Sequence, residues 1–486
     1  MIRHCVHCVR SSTSCSEILS SFRIILCNNL AGKNVSTDFK RSWRKFSFRY
    51  FASSSSSADN LPPKPHANVC LLGDHQHGKT TLASAITLIQ SQRNQAVFKE
   101  VFEIDNSREE IAKKCSINPS KMKFETNRRT YVLIDPPGHQ DYLKNTVTGS
   151  SGSDYGIIVV AGDEGPTNGT RTHLLVAKHL RIKNLAAFIS KVDKTDGESV
   201  DIVEMATKEM LEEEGFNPDG IKFFYGSPNL VLDEPENQEK QACIVNLLEN
   251  IDNLSEIGRN ISSKGMMYIE KIYAPPSRAT GVTGIIERGQ FTRGDKVELV
   301  GFDKCIRTTI CGIESFGQVK DKAIAGESVE ILLKGVKRSD VPSGMIVTPV
   351  DHQLNGQDNI EVLVKMIPAH GDDRYVLFNG DQKHFIYRTG ELFGSLSLEG
   401  KEFIVSGDSS LMRLRIQREY FFQEGQSLLF RDGRRVFALG EITKILPNMS
   451  GNERKNFLRP KTRSEKELFS ERKKRVRSDL GIRDFL

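Results

Sequence analysis

The 486-residue sequence contains no run of 18 or more apolar residues, so a membrane-spanning helix is not expected. Its nine cysteines follow no pairing pattern. Only Cys5 and Cys8 have the spacing of metal ligands, and without a second pair they argue little for a structural zinc. The others read as free thiols of a reducing compartment. Acidic residues are nearly missing from positions 1–51, where Glu17 and Asp38 stand among many Arg and Ser residues. That scarcity fits a mitochondrial or plastid transit peptide, which stays positive because it crosses a membrane whose far side is negative. Arg49-Tyr50-Phe51-Ala52 looks like a matrix-protease site, with cleavage after Phe51. The competing reading of 1–51 is a plain basic tail. Residues 52–65, with a serine run at 53–57 and Pro62, Pro63 and Pro65, form a linker.

What is present fits a soluble globular chain: 38% hydrophobic and 27% charged residues, over a length that calls for two to four domains. The formal charge of +6 is unevenly spread. Nine basic and two acidic residues give 1–57 a charge of +7, twelve and six give 447–486 +6, and 58–446 is left at −7. A mildly acidic middle lies between two basic ends.

His66-Ala67-Asn68-Val69-Cys70-Leu71-Leu72 reads as a buried strand running into Gly73-Asp74-His75-Gln76-His77-Gly78-Lys79-Thr80, which fits G-x-x-x-x-G-K-[ST]. Leu82, Ala85, Ile86 and Ile89 follow at helical spacing. Gly73 and Gly78 let backbone N–H groups wrap a β-phosphate, Lys79 reaches the β- and γ-phosphates, and Thr80 offers a hydroxyl to Mg²⁺. Asp74, His75, Gln76, His77 and Thr81 complete the expected nucleotide-binding loop.

A second strand, Tyr131-Val132-Leu133-Ile134, ends in Asp135-Pro136-Pro137-Gly138-His139. Asp135 can hold the Mg²⁺ shell through water. The Gly138 N–H can touch a γ-phosphate only while one is present, which makes a switch. His139 sits where an attacking water could be oriented; the alternative is a solvated loop histidine. A third strand ends in Ser190-Lys191-Val192-Asp193. There Asp193 can accept N1–H and N2–H₂ of guanine, a donor pair adenine lacks, and the Lys191 stem can cover the ring. Gly226-Ser227-Pro228 could offer backbone contacts to guanine O6. Three strand-end motifs in this order specify a P-loop GTPase domain of α/β class, with a doubly wound, mostly parallel sheet and its ligand at the strand C-termini. After about residue 262 helical patterns give way to short alternating segments such as Lys296–Val300 and Arg413–Ile416, which predict two β-barrel domains.

Asp135 through Asn145 resembles the second switch of the elongation factor Tu family, in its mitochondrial form, and Glu109 through Asn118 resembles its first switch. Arg278–Gly289, Gly312–Phe316, Ala325–Glu327 and Leu333–Arg338 match its second domain. Phe378–Gly380, Tyr387–Thr389 and Leu439–Lys444 resemble its third. The resemblance covers about residues 66–446 and implies a GTP-binding domain at 66–255, barrels at 262–351 and 358–446, and an extension at 447–486. It also implies GTP/GDP and Mg²⁺ as cofactors, with Thr80 and Ser116 on the metal and His139 as the catalytic residue. Tyr273, Glu314 and Phe316 would line the pocket for the aminoacyl end of tRNA, while Arg388 and Lys444 approach its T-stem. For Glu314 and Phe316 the alternative is an ordinary barrel surface pair. The implied function is GTP-dependent delivery of aminoacyl-tRNA to the A site of the mitochondrial ribosome, in the matrix. The factor would be a monomer off the membrane, recharged by an exchange factor of the elongation factor Ts type.

Several positions depart from the family. His75 and Gln76 stand for Val and Asp, and Cys115 for Ile, so the family's apolar gate beside the catalytic histidine would be polar. Ser190 replaces an Asn that bonds guanine and ties loops together, and Pro228 replaces an Ala whose N–H contacts O6. Lys121, Lys123 and Lys271 replace His, Glu and Asp, and Ser328 replaces an Asn of the aminoacyl pocket. These changes keep open a second reading, a slow-cycling paralogue that binds nucleotide or RNA as a ribosome-associated factor or chaperone. A third, initiation or selenocysteine delivery, is disfavoured because no further folded domain is expected after the barrels. In the extension, Thr462-Arg463-Ser464-Glu465 fits a capping box, and Phe469, Lys473, Val476 and Leu480 follow at helical spacing. Arg472, Lys473, Lys474, Arg475 and Arg477 cluster there, either as a solvated basic helix or as an RNA clamp.

Overall fold

The computed structural model describes residues 64–479 except 106–108, 111–114, 256, 276–278, 353, 370–373 and 460–461. The expected transit peptide and its cleavage site, most of the linker, Arg278, Leu480 and the Glu465 side chain lie outside the described residues.

β1 (His66–Leu72) is the pivot of the first domain. Its successive side chains face opposite ways, so Val69 and Leu71 enter one core and Cys70 and Leu72 another. With β2 (Ser120–Glu125), β3 (Thr130–Asp135), β4 (Tyr155–Ala161), β5 (Asn184–Ser190) and β6 (Lys222–Tyr225) it forms a sheet in the order β2-β3-β1-β4-β5-β6. Only the β2–β3 pair is antiparallel. Both faces are covered: α1 (Lys79–Gln92), α2 (Val101–Ile104), α6 (Pro228–Asp233) and α7 (Gln238–Asp252) pack on one, α4 (Asn168–His179) and α5 (Gly197–Glu213) on the other. α3 (Leu143–Ser150) lies between β3 and β4 in the chain. β3 and β4 flank β1 on opposite sides, so the order reverses at its C-terminal end, where a doubly wound sheet opens a crevice.

From Met266 the chain turns to short strands, as the alternation predicts. Lys296–Gly301, Ile346–Pro349, Met266–Tyr268, Thr280–Arg288, Ser328–Leu333 and Lys304–Ser315 pair in sequence, and the last pairs back with the first to close a six-stranded ring. A second closed ring comprises Gln357–Met366, Ser409–Tyr420, Gly390–Leu398, Gln382–Tyr387, Ser427–Asp432 and Arg435–Ile445. Tyr268 of the first barrel is buried in the core of the second, and the Thr389 hydroxyl donates to the Ile269 carbonyl at 3.0 Å. The sheet domain meets the first barrel through Asn68 Nδ2 to Gly326 O at 3.0 Å and Lys121 Nζ to Glu270 at 2.6 Å. It meets the second through an apolar seam of Leu143, Val147 and Val176 against Ile386 and Leu429.

Beyond the barrels, α8 (Gly451–Leu458) starts at a capping box of Ser450 and Glu453. Its Arg454 bridges Asp303 of the first barrel (2.8 Å) to Asp358 (3.0 Å) and Glu419 (2.7 Å) of the second. α9 (Arg463–Asp479) begins immediately after Thr462 and docks through Lys473, which pairs with buried Asp381 and lies over the Phe378 ring. Lys474 and Arg475 face solvent. No described helix is long and apolar enough to cross a membrane.

Candidate functional site

The turn leaving β1 needs conformations that side chains resist. Gly73 has φ +146° and Gly78 φ +91°, and a Cβ on Gly73 would strike the Val159 backbone. α1 starts at Lys79, so its unpaired N–H groups face the crevice and favour anions. Lys79 is buried, its ammonium donating to the Gly73 and Asp74 carbonyls at 3.0 and 2.8 Å. Burial lowers its pKa, and Asp135 and Asp74 oppose that shift.

The crevice has a volume of about 290 Å³. It brings together His75, Gln76, Gly78, Lys79, Thr80, Thr81, Ser116, Gly138, Ser190, Lys191, Ser227 and Pro228 from five separate stretches of chain. The other expected residues support it from outside. Asp74 accepts from His75 N at 2.6 Å and from the Thr167 hydroxyl at 2.5 Å, and His77 is fully buried behind the loop. Asp193 is exposed in a short turn at Val192–Lys194.

Asp135 ends β3 completely buried, and neither carboxylate oxygen has a hydrogen-bond partner of ordinary geometry. Burial pushes its pKa up to about 6, although Lys79 and the Thr80 hydroxyl pull the other way. Ser116 Oγ donates to Asp105 Oδ2 at 3.0 Å, and burial raises the Asp105 carboxyl as well. A buried carboxylate beside the Thr80 hydroxyl, behind a crevice that Ser116 and Asp105 also line, suits Mg²⁺, which prefers a few protein oxygens supplemented by waters and phosphates. Thr80 and Ser116 would be direct ligands, with Asp135 on the metal's waters. Bound there, Mg²⁺ would neutralise phosphate charge.

Gly138 lies directly on the phosphate loop. A Cβ there would strike Lys79 Nζ and stand 2.7 Å from His75 N and 2.8 Å from the Asp74 carbonyl carbon. Its own carbonyl is 3.3 Å from His173 Nε2 on α4; since a carbonyl only accepts, that nitrogen carries the proton. Burial holds the His173 pKa down to about 3, so the ring stays neutral. Next in the chain, His139 is half-exposed, its Nδ1 accepting from Asp141 N at 3.2 Å. Its ring meets that of His75 edge to face, centroids 6.0 Å apart. Asp141 in turn pairs with Arg434 of the second barrel, and Lys144 with Glu391 at 3.1 Å.

The base-side departures have structural accommodations. Ser190 Oγ donates to the His77 carbonyl at 2.6 Å, so the tie between the base loop and the phosphate loop persists without the amide. Pro228 occupies the first turn of α6, where a helix has no use for the missing N–H, and Ser227 caps that helix. Lys191 Nζ is held by Asp163 at 3.0 Å.

On the first barrel, the Tyr273 hydroxyl donates to Glu330 at 2.5 Å, and Glu314 pairs in register with Glu330. Phe316 is exposed in a left-handed turn next to them. Lys121 contacts both Glu270 and Ser328 Oγ, the latter at 3.3 Å, so two departures from the family meet at one interface. Arg388 does not face open solvent: its guanidinium pairs with Glu287 at 2.5 Å and stacks by Tyr268 at the junction of all three domains. Lys444 is exposed on the last barrel strand. Sequence reasoning missed Asp105, Lys194 and Asn229, which line the crevice, and His173, which reads in sequence as one residue of a helical face.

Comparison with known proteins agrees with this geometry. Residues 64–256 match the elongation factor Tu GTP-binding domain, and residues 280–348 match elongation factor Tu domain 2, together more than half of the chain. Among solved structures, a bacterial selenocysteine-specific elongation factor superposes with a TM-score of 0.61 at 22% identity, over 78% of this chain and 58% of that one. That likeness concerns the fold, and this chain spans less than two thirds of that protein's length. With the phosphate loop, the switch strand and the two closed barrels in place, the chain belongs to the translational GTPases of the elongation factor Tu type.

Proposed function

We propose that the chain carries aminoacyl-tRNA to the A site of the mitochondrial ribosome, hydrolysing GTP in the process. The observation that carries this reading is the position of Gly138. It rests on the phosphate loop at Asp74 and His75, while its carbonyl is gripped by His173 of α4. α4 also places Val176 in the apolar seam with the second barrel. A backbone amide that contacts a γ-phosphate would therefore move a helix on which a barrel is seated, and packed seams of this kind tend to have discrete arrangements. In hydrolysis a bond forms between water oxygen and the γ-phosphorus. The bond to the β-phosphate oxygen breaks with its electron pair leaving on GDP, and the water proton ends on the released phosphate. His139 orients that water, and Lys79 and the α1 N-terminus stabilise charge on the phosphates.

Tyr273, Glu314 and Phe316 would receive the aminoacyl end, and solvent-facing Lys444, Lys474 and Arg475 would approach phosphates of the tRNA. The Arg- and Ser-rich first 51 residues support import into the matrix. A monomer recharged by a Ts-type exchange factor completes the proposal. A specific observation, the polar pair His75 and Cys115 in the crevice wall, favours the slow-cycling paralogue as the second reading. Phosphate release from GTP, measured with and without programmed mitochondrial ribosomes, separates the two. Acceleration by ribosomes is expected; a rate that ribosomes leave unchanged overturns the delivery reading.

A further inference from the structure

The residue beside the proposed catalytic histidine is a second imidazole. His75 lies at the middle of the phosphate loop, lines the nucleotide crevice, and meets the His139 ring at 6.0 Å with an interplanar angle of 76°. His139 is fixed from its other side: its Nδ1 accepts the Asp141 N–H, so in the neutral ring the proton is on Nε2. Asp141 is itself pinned by Arg434 of the second barrel. The half-exposed His139 ring thus lies between a barrel-anchored turn and the phosphate loop, with His75 on the phosphate-loop side.

We propose that His75 is a positioning residue for GTP hydrolysis, which orients the His139 ring and helps hold the attacking water between the two imidazoles. The spacing suits this role. A water bridging two nitrogens needs them about 4.5–5 Å apart, which rings with centroids 6.0 Å apart can present. The rings meet edge to face and not through a hydrogen bond, so a bridging water is the link the proposal uses. Chemistry also fits: a neutral imidazole has one donor and one acceptor, so a water can donate to one ring while accepting from the other. Burial and nearby Lys79 keep the His75 pKa below its ordinary value, which favours that neutral form. A hydrophobic side chain at this place could wall off the centre but could not orient a water. This inference rests on His139 being the catalytic histidine.

The test is single-turnover GTP hydrolysis by the full chain carrying His75→Ala, His75→Gln or His139→Ala, with GDP affinity and melting temperature measured on each. Positioning predicts that His75→Ala lowers the hydrolysis rate at saturating GTP about 10- to 100-fold while KM changes little. His75→Gln, which keeps a donor and an acceptor, should recover much of that loss. A wall predicts the reverse: cutting His75 back to alanine admits water and speeds hydrolysis. A His75→Ala rate equal to or above wild type, alongside a crippled His139→Ala, overturns the role of His75 alone. Unimpaired hydrolysis in His139→Ala overturns the catalytic reading beneath it. Should His75→Ala fail to bind GDP, the Gln variant decides: a wild-type-like rate supports positioning, and a rate as low as that of His139→Ala contradicts it.

Discussion

Replacing Gly138 with Ala probes the γ-phosphate sensor with a single methyl group. The added Cβ would strike the Lys79 ammonium and stand 2.7 Å from His75 N and 2.8 Å from the Asp74 carbonyl carbon, the last two backbone atoms of a loop that cannot swing aside like a side-chain tip. Ordinary Cβ contacts begin near 3.4 Å, so the two loops must part by about 0.7 Å. A Gly138 N–H to phosphate bond of about 2.9 Å then becomes about 3.6 Å, which is no longer a hydrogen bond. Losing one bond to a charged acceptor costs about 1.5–3 kcal/mol, or about 10- to 150-fold in affinity. GDP has no γ-phosphate, so it should lose only what a displaced Lys79 gives the β-phosphate, a loss the triphosphate shares. Titration of fluorescent GDP and of a non-hydrolysable GTP analogue therefore should show the larger loss for the triphosphate. An unchanged triphosphate-to-diphosphate ratio in a folded variant refutes the assignment of Gly138 as sensor.

Ser190→Ala removes the buried donor to the His77 carbonyl, so GTP and GDP should both bind about 5- to 150-fold more weakly, from a loss of about 1–3 kcal/mol. Equal affinities for variant and wild type would show that the tie is idle. Asp135 gives a pH signature in nucleotide- and metal-free protein. Its folded pKa near 6 lies above the ordinary 3.8, so the folded state holds an extra proton between these values, and this contribution to stability is lost as pH rises through about 6. His173 and His179, held neutral down to about 3, act oppositely below 6.5. The readout is therefore the melting-temperature difference between wild type and Asp135→Asn, which should favour the variant more at pH 7 than at pH 5; a constant difference contradicts it. Lys474→Ala with Arg475→Ala leaves the Lys473 dock intact and should weaken tRNA binding, lowering the salt-dependence slope by about 1–2. An unaltered slope reduces α9 to a solvated helix.

What the sequence made legible was local. The phosphate loop, the acidic strand end at Asp135 and the Lys191-x-Asp193 motif each sit on contiguous residues whose spacing carries their chemistry, and the alternation after 262 carries the barrels. What it hid was long-range. Ser190 keeps its tie because a carbonyl 113 positions away comes within 2.6 Å, and no periodicity encodes that approach. His173 looks like any residue of an amphipathic helix until Gly138 O is placed before it. Lys121 and Ser328 read separately as departures, yet they touch across an interface between domains. Arg388, expected at the T-stem by resemblance, turns inward to Glu287, since barrel-end side chains can face either solvent or a neighbouring domain. The basic helix α9 gives away its charge by composition, but which of its cations are spent on docking emerges only from the pairs Lys473–Asp381 and Arg472–Glu402 and from the Phe378 ring.

The most direct test is the affinity of protein lacking residues 1–51 for aminoacylated tRNA, measured by gel shift with a non-hydrolysable GTP analogue and then with GDP. A sensor at Gly138 that moves α4 against the second barrel predicts tight binding with the triphosphate and a loss of at least about tenfold with the diphosphate, the scale of one coupling step. Equal binding in both nucleotide states would contradict it.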